Sequence, residues 1–214
     1  MPRVNRPETI RQNYFNEVRR LATIGVGGLA RTRVSPNALT AAGVGLSAVA
    51  AVLIYFTDRH EVAFYWLAAA LFVAGALLDI LDGALARASG KASTFGAFVD
   101  STTDRLGEAL VLGAVALVFA RGDALFSVGL TIAAIVGSFL VSYARAKAEA
   151  LGLRGDVGIG DRATRVVVVT AGLVLAPWGA LPWTIGLLTA LAWYTVIRRG
   201  IFVRSQLLEE GKKQ

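Results

Sequence analysis

Runs of about twenty apolar residues recur along this chain, and they leave few options for its fold. As a helix, a run of that length crosses the roughly 30 Å hydrocarbon core of a bilayer. In hydrocarbon every backbone N–H and C=O needs a partner within the protein, and a helix supplies one along its own length. Six runs can be traced: Leu39–Phe56, Val62–Ala86, Phe95–Ala120, Leu125–Val141, Val166–Ala176 extended through Pro177, and Trp183–Ile197. A hydrophobic content of 55% over 214 residues lies well above that of an ordinary soluble domain. The expected fold is therefore all-α: a polytopic membrane protein with six transmembrane helices.

Charge orients such a bundle. If the N-terminus is cytoplasmic and the spans alternate, nineteen of the 22 lysines and arginines fall on cytoplasmic segments. Arg59 and Arg121 are left outside, and Arg105 lies within the third span. That asymmetry satisfies the positive-inside rule, and Tyr65, Trp66, Trp178 and Trp183 fall near the opposite interface as an aromatic belt would. The net charge of +7 thus reflects membrane orientation and anionic ligands, and no nucleic-acid partner is expected. Ahead of the spans, Ile10, Tyr14, Val18 and Leu21 form an apolar stripe flanked by Arg11, Arg19 and Arg20, as in an amphipathic helix lying on the membrane surface. The chain divides into an amphipathic juxtamembrane segment (1–34), a six-helix transmembrane catalytic domain (35–205) and a C-terminal tail (206–214). The absence of cysteine excludes disulfides, thiolate metal sites and cysteine nucleophiles.

Four aspartates interrupt this apolar pattern. Asp79 and Asp82 sit near the end of the second run, and Asp100 and Asp104 near the start of the third. A charge at the centre of a membrane helix costs about 2.5–3.5 kcal/mol on insertion scales, so four such residues imply counter-charges. Asp79, Asp82, Gly83, Ala86 and Arg87 share one helical face, as do Gly96, Asp100 and Asp104 on the next helix. A short turn around Gly90 makes the two helices antiparallel neighbours whose acidic faces can converge. Oxygen-only ligands select hard ions such as Mg²⁺, Mn²⁺ or Ca²⁺, one or two of them, with phosphate oxygens completing the shell. Gly83 and Ala86 leave room for a ligand against the helix backbone, and Arg87 can neutralise a phosphate. Intramembrane carboxylates also mark ion pathways, so an ion-coupled transporter is the competing class. The acids cluster near one face and the two halves show no inverted repeat, which disfavours it.

The pattern D-x2-D-G-x2-A-R-x8-G-x3-D-x3-D, running from Asp79 to Asp104, resembles the signature of the CDP-alcohol phosphatidyltransferases. The resemblance implies transfer of a phosphatidyl group from CDP-diacylglycerol to an alcohol, with release of CMP. It implies that Asp79, Asp82, Asp100 and Asp104 ligate Mg²⁺ or Mn²⁺, two ions in all, and that Asp104 is also the general base. It places the CDP moiety near Asn37, Thr40, Gly83, Ala86 and Arg87. It further implies a homodimer in the cell (plasma) membrane, surrounded by lipid, with the active site facing the cytoplasm.

The acceptor is read from outside the signature. Arg145, Lys147, Arg154, Arg162, Arg165 and Arg199 gather at the cytoplasmic ends of the last three spans, as a phosphate-bearing acceptor would require. The segments Ser142–Glu149, Gly152–Asp156 and Arg162-x-x-Arg165 are similar to those of the actinobacterial phosphatidylinositol phosphate synthases, as is the second arginine of Arg198-Arg199. The resemblance implies inositol 1-phosphate as acceptor and phosphatidylinositol phosphate as product. One departure is Asp161-Arg162-Ala163-Thr164-Arg165, where the group has Glu-Arg-x-Glu-Arg. Glycerol 3-phosphate, giving phosphatidylglycerophosphate, is the competing acceptor.

Overall fold

The structure, a computed structural model, describes residues 35–88, 90 and 92–211. The expected interfacial helix in 1–34 lies outside these residues, as do Lys91 and the last three positions. Among the described residues there are six α-helices and no strand: α1 (Pro36–Tyr55), α2 (Glu61–Ala88), α3 (Thr94–Arg121), α4 (Leu125–Ala150), α5 (Arg162–Leu175) and α6 (Leu181–Gly211). A single 3₁₀ turn, Ala176–Trp178, joins α5 to α6. Residues 206–211, expected as tail, are part of α6.

Polar caps set the helix starts at one end of the bundle. Ser35 accepts from the Ala38 N–H at 3.2 Å to open α1, and Ser93 accepts from the Gly96 N–H at 3.0 Å to open α3. Asp161 opens α5 by accepting from both the N–H (3.0 Å) and the hydroxyl (2.7 Å) of Thr164. These side chains satisfy donors that the first helical turn leaves free. Gly90, with φ of +66°, makes the reversal between α2 and α3 in a conformation that disfavours a side chain.

The helices close into a ring in the order α1, α3, α4, α6, α5, α2, each packing against its neighbours. Here the structure departs from the sequence expectation. Helices α2 and α3 touch little, because α1 lies between them and packs against both. The α1–α2 contact is backbone on backbone: a Cβ added to Gly75 would lie 2.9 Å from the Gly43 carbonyl oxygen. One half of the ring is filled by an apolar core containing Ile54 of α1, Phe72 of α2, Val111, Leu112 and Val115 of α3, Leu173 of α5, and Ile185 and Leu188 of α6. The other half, around the starts of α1, α3 and α5, carries the charged residues and the cavities.

Four helices are long and apolar enough to cross a membrane: α1, α2, α4 and α6. The chain is thus a membrane protein by composition, but two of the six expected spans fail that criterion for physical reasons. At 28 residues α3 is long enough, yet Asp100, Asp104, Arg105 and Glu108 interrupt its apolar pattern. Helix α5 has only 14 residues, about 21 Å at 1.5 Å per residue, and is continued by the 3₁₀ turn.

Candidate active site

One oxygen from each of Asp79, Asp82 and Asp100 lies within 4.8 Å of the other two. The wedge helix α1 takes part: Asp82 is buried (3% exposed) and accepts a hydrogen bond from the Thr40 hydroxyl. Oδ1 of Asp100 is buried without a hydrogen-bond partner among the described residues. Three clustered carboxylates with an orphaned oxygen form an anionic, oxygen-only donor set that calls for a cation, and a hard divalent ion fits it. The fourth aspartate lies beside Asp79 but outside the mutually close trio. Asp104 Oδ1 lies 2.6 Å from a guanidinium nitrogen of Arg162, although without hydrogen-bond alignment, and the same guanidinium bonds Asp79.

Two cavities flank the aspartates. The first, about 360 Å³, opens between the N-termini of α1 and α3 and the end of α2. All five residues expected near the CDP moiety line it: Asn37, Thr40, Gly83, Ala86 and Arg87. Asp82 and Asp100 also line it, and Ser35, Ala92, Ser93, Gly96 and Ala97 complete it. Residues at two helix N-termini line this cavity, and the dipoles of those helices favour an anion there. The capping serines escaped notice as wall residues, although a serine before an apolar run is a readable start signal.

The second cavity, about 90 Å³, is lined by Asp104, Arg105, Val141, Ser142, Arg145, Asp161, Arg162, Arg165 and Arg199. Four of the six basic residues expected at the acceptor phosphate are therefore gathered here, and two are not. Lys147 is exposed on α4, and Arg154 is exposed in the following loop. Arg154 pairs with Asp156 at 3.3 Å, a bond that holds the Asp156 carboxyl below the usual carboxylate range. Arg105 and Ser142 are wall residues that charge counting missed.

The arginines of this cavity differ in their commitments. Arg165 is buried, bonds both oxygens of Glu108 at 2.8 and 2.9 Å, and donates to the Gly160 carbonyl at 3.0 Å. Arg199 is buried and donates to the carbonyls of Val157 (2.9 Å) and Val141. Arg145, more exposed, pairs with Glu149 at 2.8 Å. Asp104 borders this cavity and also a narrow central one that contains Thr40, Asp79 and Glu108.

An acidic cluster thus lies between a cavity at two helix N-termini and an arginine-lined one, inside a ring of helices four of which are apolar enough to cross a membrane. The sequence model of the CDP-alcohol phosphatidyltransferases matches residues 33–198, and the chain belongs to that family. It is 35% identical to archaetidylinositol phosphate synthase of Pyrococcus horikoshii, over 86% of this chain and 90% of the relative. It is 37% identical to phosphatidylinositol phosphate synthase of Mycolicibacterium smegmatis, over 72% of this chain and 69% of that one. Its fold is similar to the crystal structure of Mycobacterium tuberculosis phosphatidylinositol phosphate synthase with CDP-DAG bound (TM-score 0.76, 29% identity, covering 86% of this chain and 94% of the other). A second structure of the mycobacterial enzyme, in complex with manganese and citrate, matches with a TM-score of 0.74 at 29% identity, over 85% and 88% of the two chains.

Proposed function

We propose that this protein transfers a phosphatidyl group from CDP-diacylglycerol to inositol 1-phosphate, releasing CMP and forming phosphatidylinositol phosphate. The observation that carries the reading is the position of the aspartates between two cavities of different chemistry. The larger cavity, with small residues and two helix N-termini, suits the CDP moiety. The arginine-lined one suits a phosphorylated alcohol. The two relatives named above share inositol phosphate in their names, which favours it over glycerol 3-phosphate.

Asp79, Asp82, Asp100 and Asp104 would hold two ions, Mg²⁺ or Mn²⁺. When bound, the ions supply positive charge that clamps the pyrophosphate and stabilises CMP as a leaving group. The chain's own residues do the rest. Thr40 fixes Asp82, and the N-termini of α1 and α3 with Arg87 orient the nucleotide phosphates. Asp104, on the side of the acceptor cavity, takes the proton of the attacking inositol hydroxyl. Arg162 receives the acceptor phosphate, and Arg105, Arg145, Arg165 and Arg199, each held by its own partner, supply the positive field around it. Direct displacement is favoured, because none of the fixed positions of the signature is a serine, cysteine or histidine nucleophile. In this reading α3 and α5 also span, giving six transmembrane helices behind an interfacial helix in 1–34. The protein acts as a homodimer in the plasma membrane, and its active site faces the cytoplasm.

The test is an acceptor panel. Purified protein, CDP-diacylglycerol and Mg²⁺ are incubated with inositol 1-phosphate, glycerol 3-phosphate, free inositol or serine, and CMP is measured. Turnover with inositol 1-phosphate, abolished in Asp79→Asn and Asp104→Asn, is the expected result. Turnover with glycerol 3-phosphate alone would replace the acceptor, and full activity in both variants would refute the site.

A further inference from the structure

Arg162 is the member of the arginine cluster whose partners are themselves proposed metal ligands. Its guanidinium bonds Asp79 and lies 2.6 Å from Asp104, while the neighbouring arginines are engaged elsewhere. Arg165 is held by Glu108, Arg199 by backbone carbonyls, Arg145 by Glu149 and Arg105 by the Ser101 carbonyl. Arg162 also lines both the central cavity beside the aspartates and the adjacent arginine-lined cavity. Its backbone is fixed as the first residue of α5, behind the Asp161 cap, but its side chain is 34% exposed, against 4% for Arg165 one turn later.

We propose that Arg162 is a gate between the metal site and the acceptor site. Without a divalent ion it neutralises Asp79 and Asp104. With an ion bound, Asp79 and Asp104 would serve as its ligands, and the Arg162 guanidinium would be released to turn fully into the arginine-lined cavity and receive the acceptor phosphate. The inference rests on the functional reading above and adds an order of binding to it. The charges support the exchange. A guanidinium and a divalent ion repel each other when they share one carboxylate, and the ion brings twice the charge to it. Four rotatable bonds let the arginine head move while α5 stays in place. Since binding couplings are reciprocal, the acceptor phosphate then tightens the metal as the metal tightens the acceptor.

The experiment is a Mn²⁺ titration, read by electron paramagnetic resonance, on purified full-length protein without any acceptor. Arg162→Gln is expected to bind Mn²⁺ at least fivefold more tightly than wild type, because its competitor has been removed. The same variant is expected to raise the KM for inositol 1-phosphate at least tenfold at saturating metal. Arg145→Gln, which removes a positive charge from the same cavity without a contact to Asp79 or Asp104, is expected to change Mn²⁺ affinity less than twofold. Unchanged or weaker Mn²⁺ binding in Arg162→Gln would mean that Arg162 merely braces Asp79, and would overturn the gate. An equal gain in Arg145→Gln would reduce the effect to the general field of the cavity and also overturn it. Because the titration contains no acceptor, a failed acceptor panel refutes the function independently of this result.

Discussion

The buried pair Glu108–Arg165 offers a quantitative test of how the bundle tolerates charge. Arg165 is 3% exposed and Glu108 8%, and the guanidinium meets both carboxylate oxygens at 2.8 and 2.9 Å. Glu108→Ala strands a buried guanidinium whose remaining bond is to the Gly160 carbonyl. Removing one partner of a buried pair costs about 3–5 kcal/mol. At roughly 2–4 °C per kcal/mol for a chain of this size, the apparent Tm should fall by about 6–20 °C. Glu108→Gln keeps one acceptor and should lose less, about 1.5–3 kcal/mol for a hydrogen bond to a charged group. The double variant Glu108→Leu/Arg165→Met replaces the pair with apolar volume, an exchange that is often neutral or stabilising. It should therefore melt above both single alanine variants, Glu108→Ala and Arg165→Ala. The assay is intrinsic fluorescence of the four tryptophans during heating in detergent. Mn²⁺ affinity should stay within twofold of wild type in Glu108→Gln, because Glu108 is not one of the clustered carboxylates. A Glu108→Ala protein melting within 2 °C of wild type, or a double variant as unstable as the sum of the singles, would refute the reasoning.

Two further outcomes test the wedge helix. Thr40→Val removes the hydroxyl that donates to Asp82 and should lower kcat/KM for CMP release about 10–100-fold, the equivalent of about 1.5–3 kcal/mol, with Thr40→Ser restoring most of it; unchanged turnover in Thr40→Val would separate α1 from the chemistry. Gly75→Ala drives a methyl group to 2.9 Å from the Gly43 carbonyl oxygen and should destabilise by about 1–3 kcal/mol while lowering activity, whereas Gly45→Ala, with nothing within 4 Å, should leave both near wild type; equal melting temperatures for the two variants would show that the α1–α2 approach is not tight.

Much of the site was legible because its residues are spaced on helical faces. Asp79 with Asp82, and Asp100 with Asp104, could be placed from spacing alone, and the oxygens of three of them do converge. The route of convergence was not legible. In lipid every helix is apolar around most of its circumference, so periodicity says little about which helices are neighbours, and the insertion of α1 between α2 and α3 leaves no mark on their patterns. The start of α5 was placed at Val166 by the onset of apolar residues, but the Asp161 cap begins the helix at Arg162. That one extra turn puts Arg162 and Arg165 on the rigid element that faces the aspartates. Counting charge also could not sort the basic residues. Lys147 is two positions from Arg145, on another side of α4, while Arg105 lines the arginine-rich cavity from a helix whose pattern is dominated by its acidic face.

The acidic ladder of α3 explains why a helix that fails a hydropathy criterion can still belong inside the bundle. Asp100, Asp104 and Glu108 follow one another at four-residue intervals on one face, and their surroundings differ from rung to rung. Glu108, nearest the apolar core, is bound in both oxygens by Arg165, a partner that the fold supplies permanently. Asp104, one turn nearer the cavities, meets the more exposed Arg162. Asp100, on the wall of the larger of the two cavities, keeps a buried oxygen with no hydrogen-bond partner among the described residues and shares its neighbourhood with Asp79 and Asp82. The progression follows the cost of desolvation. A charge that no solvent ion can reach must be neutralised within the chain, whereas one beside an open cavity can be left for a ligand to neutralise. Arg162 and Arg165, three residues apart on α5, match two rungs of this ladder, one held fast and one able to exchange. A helix read residue by residue as too polar for the membrane thus becomes, rung by rung, a graded path from structural to chemical use of the same side-chain charge.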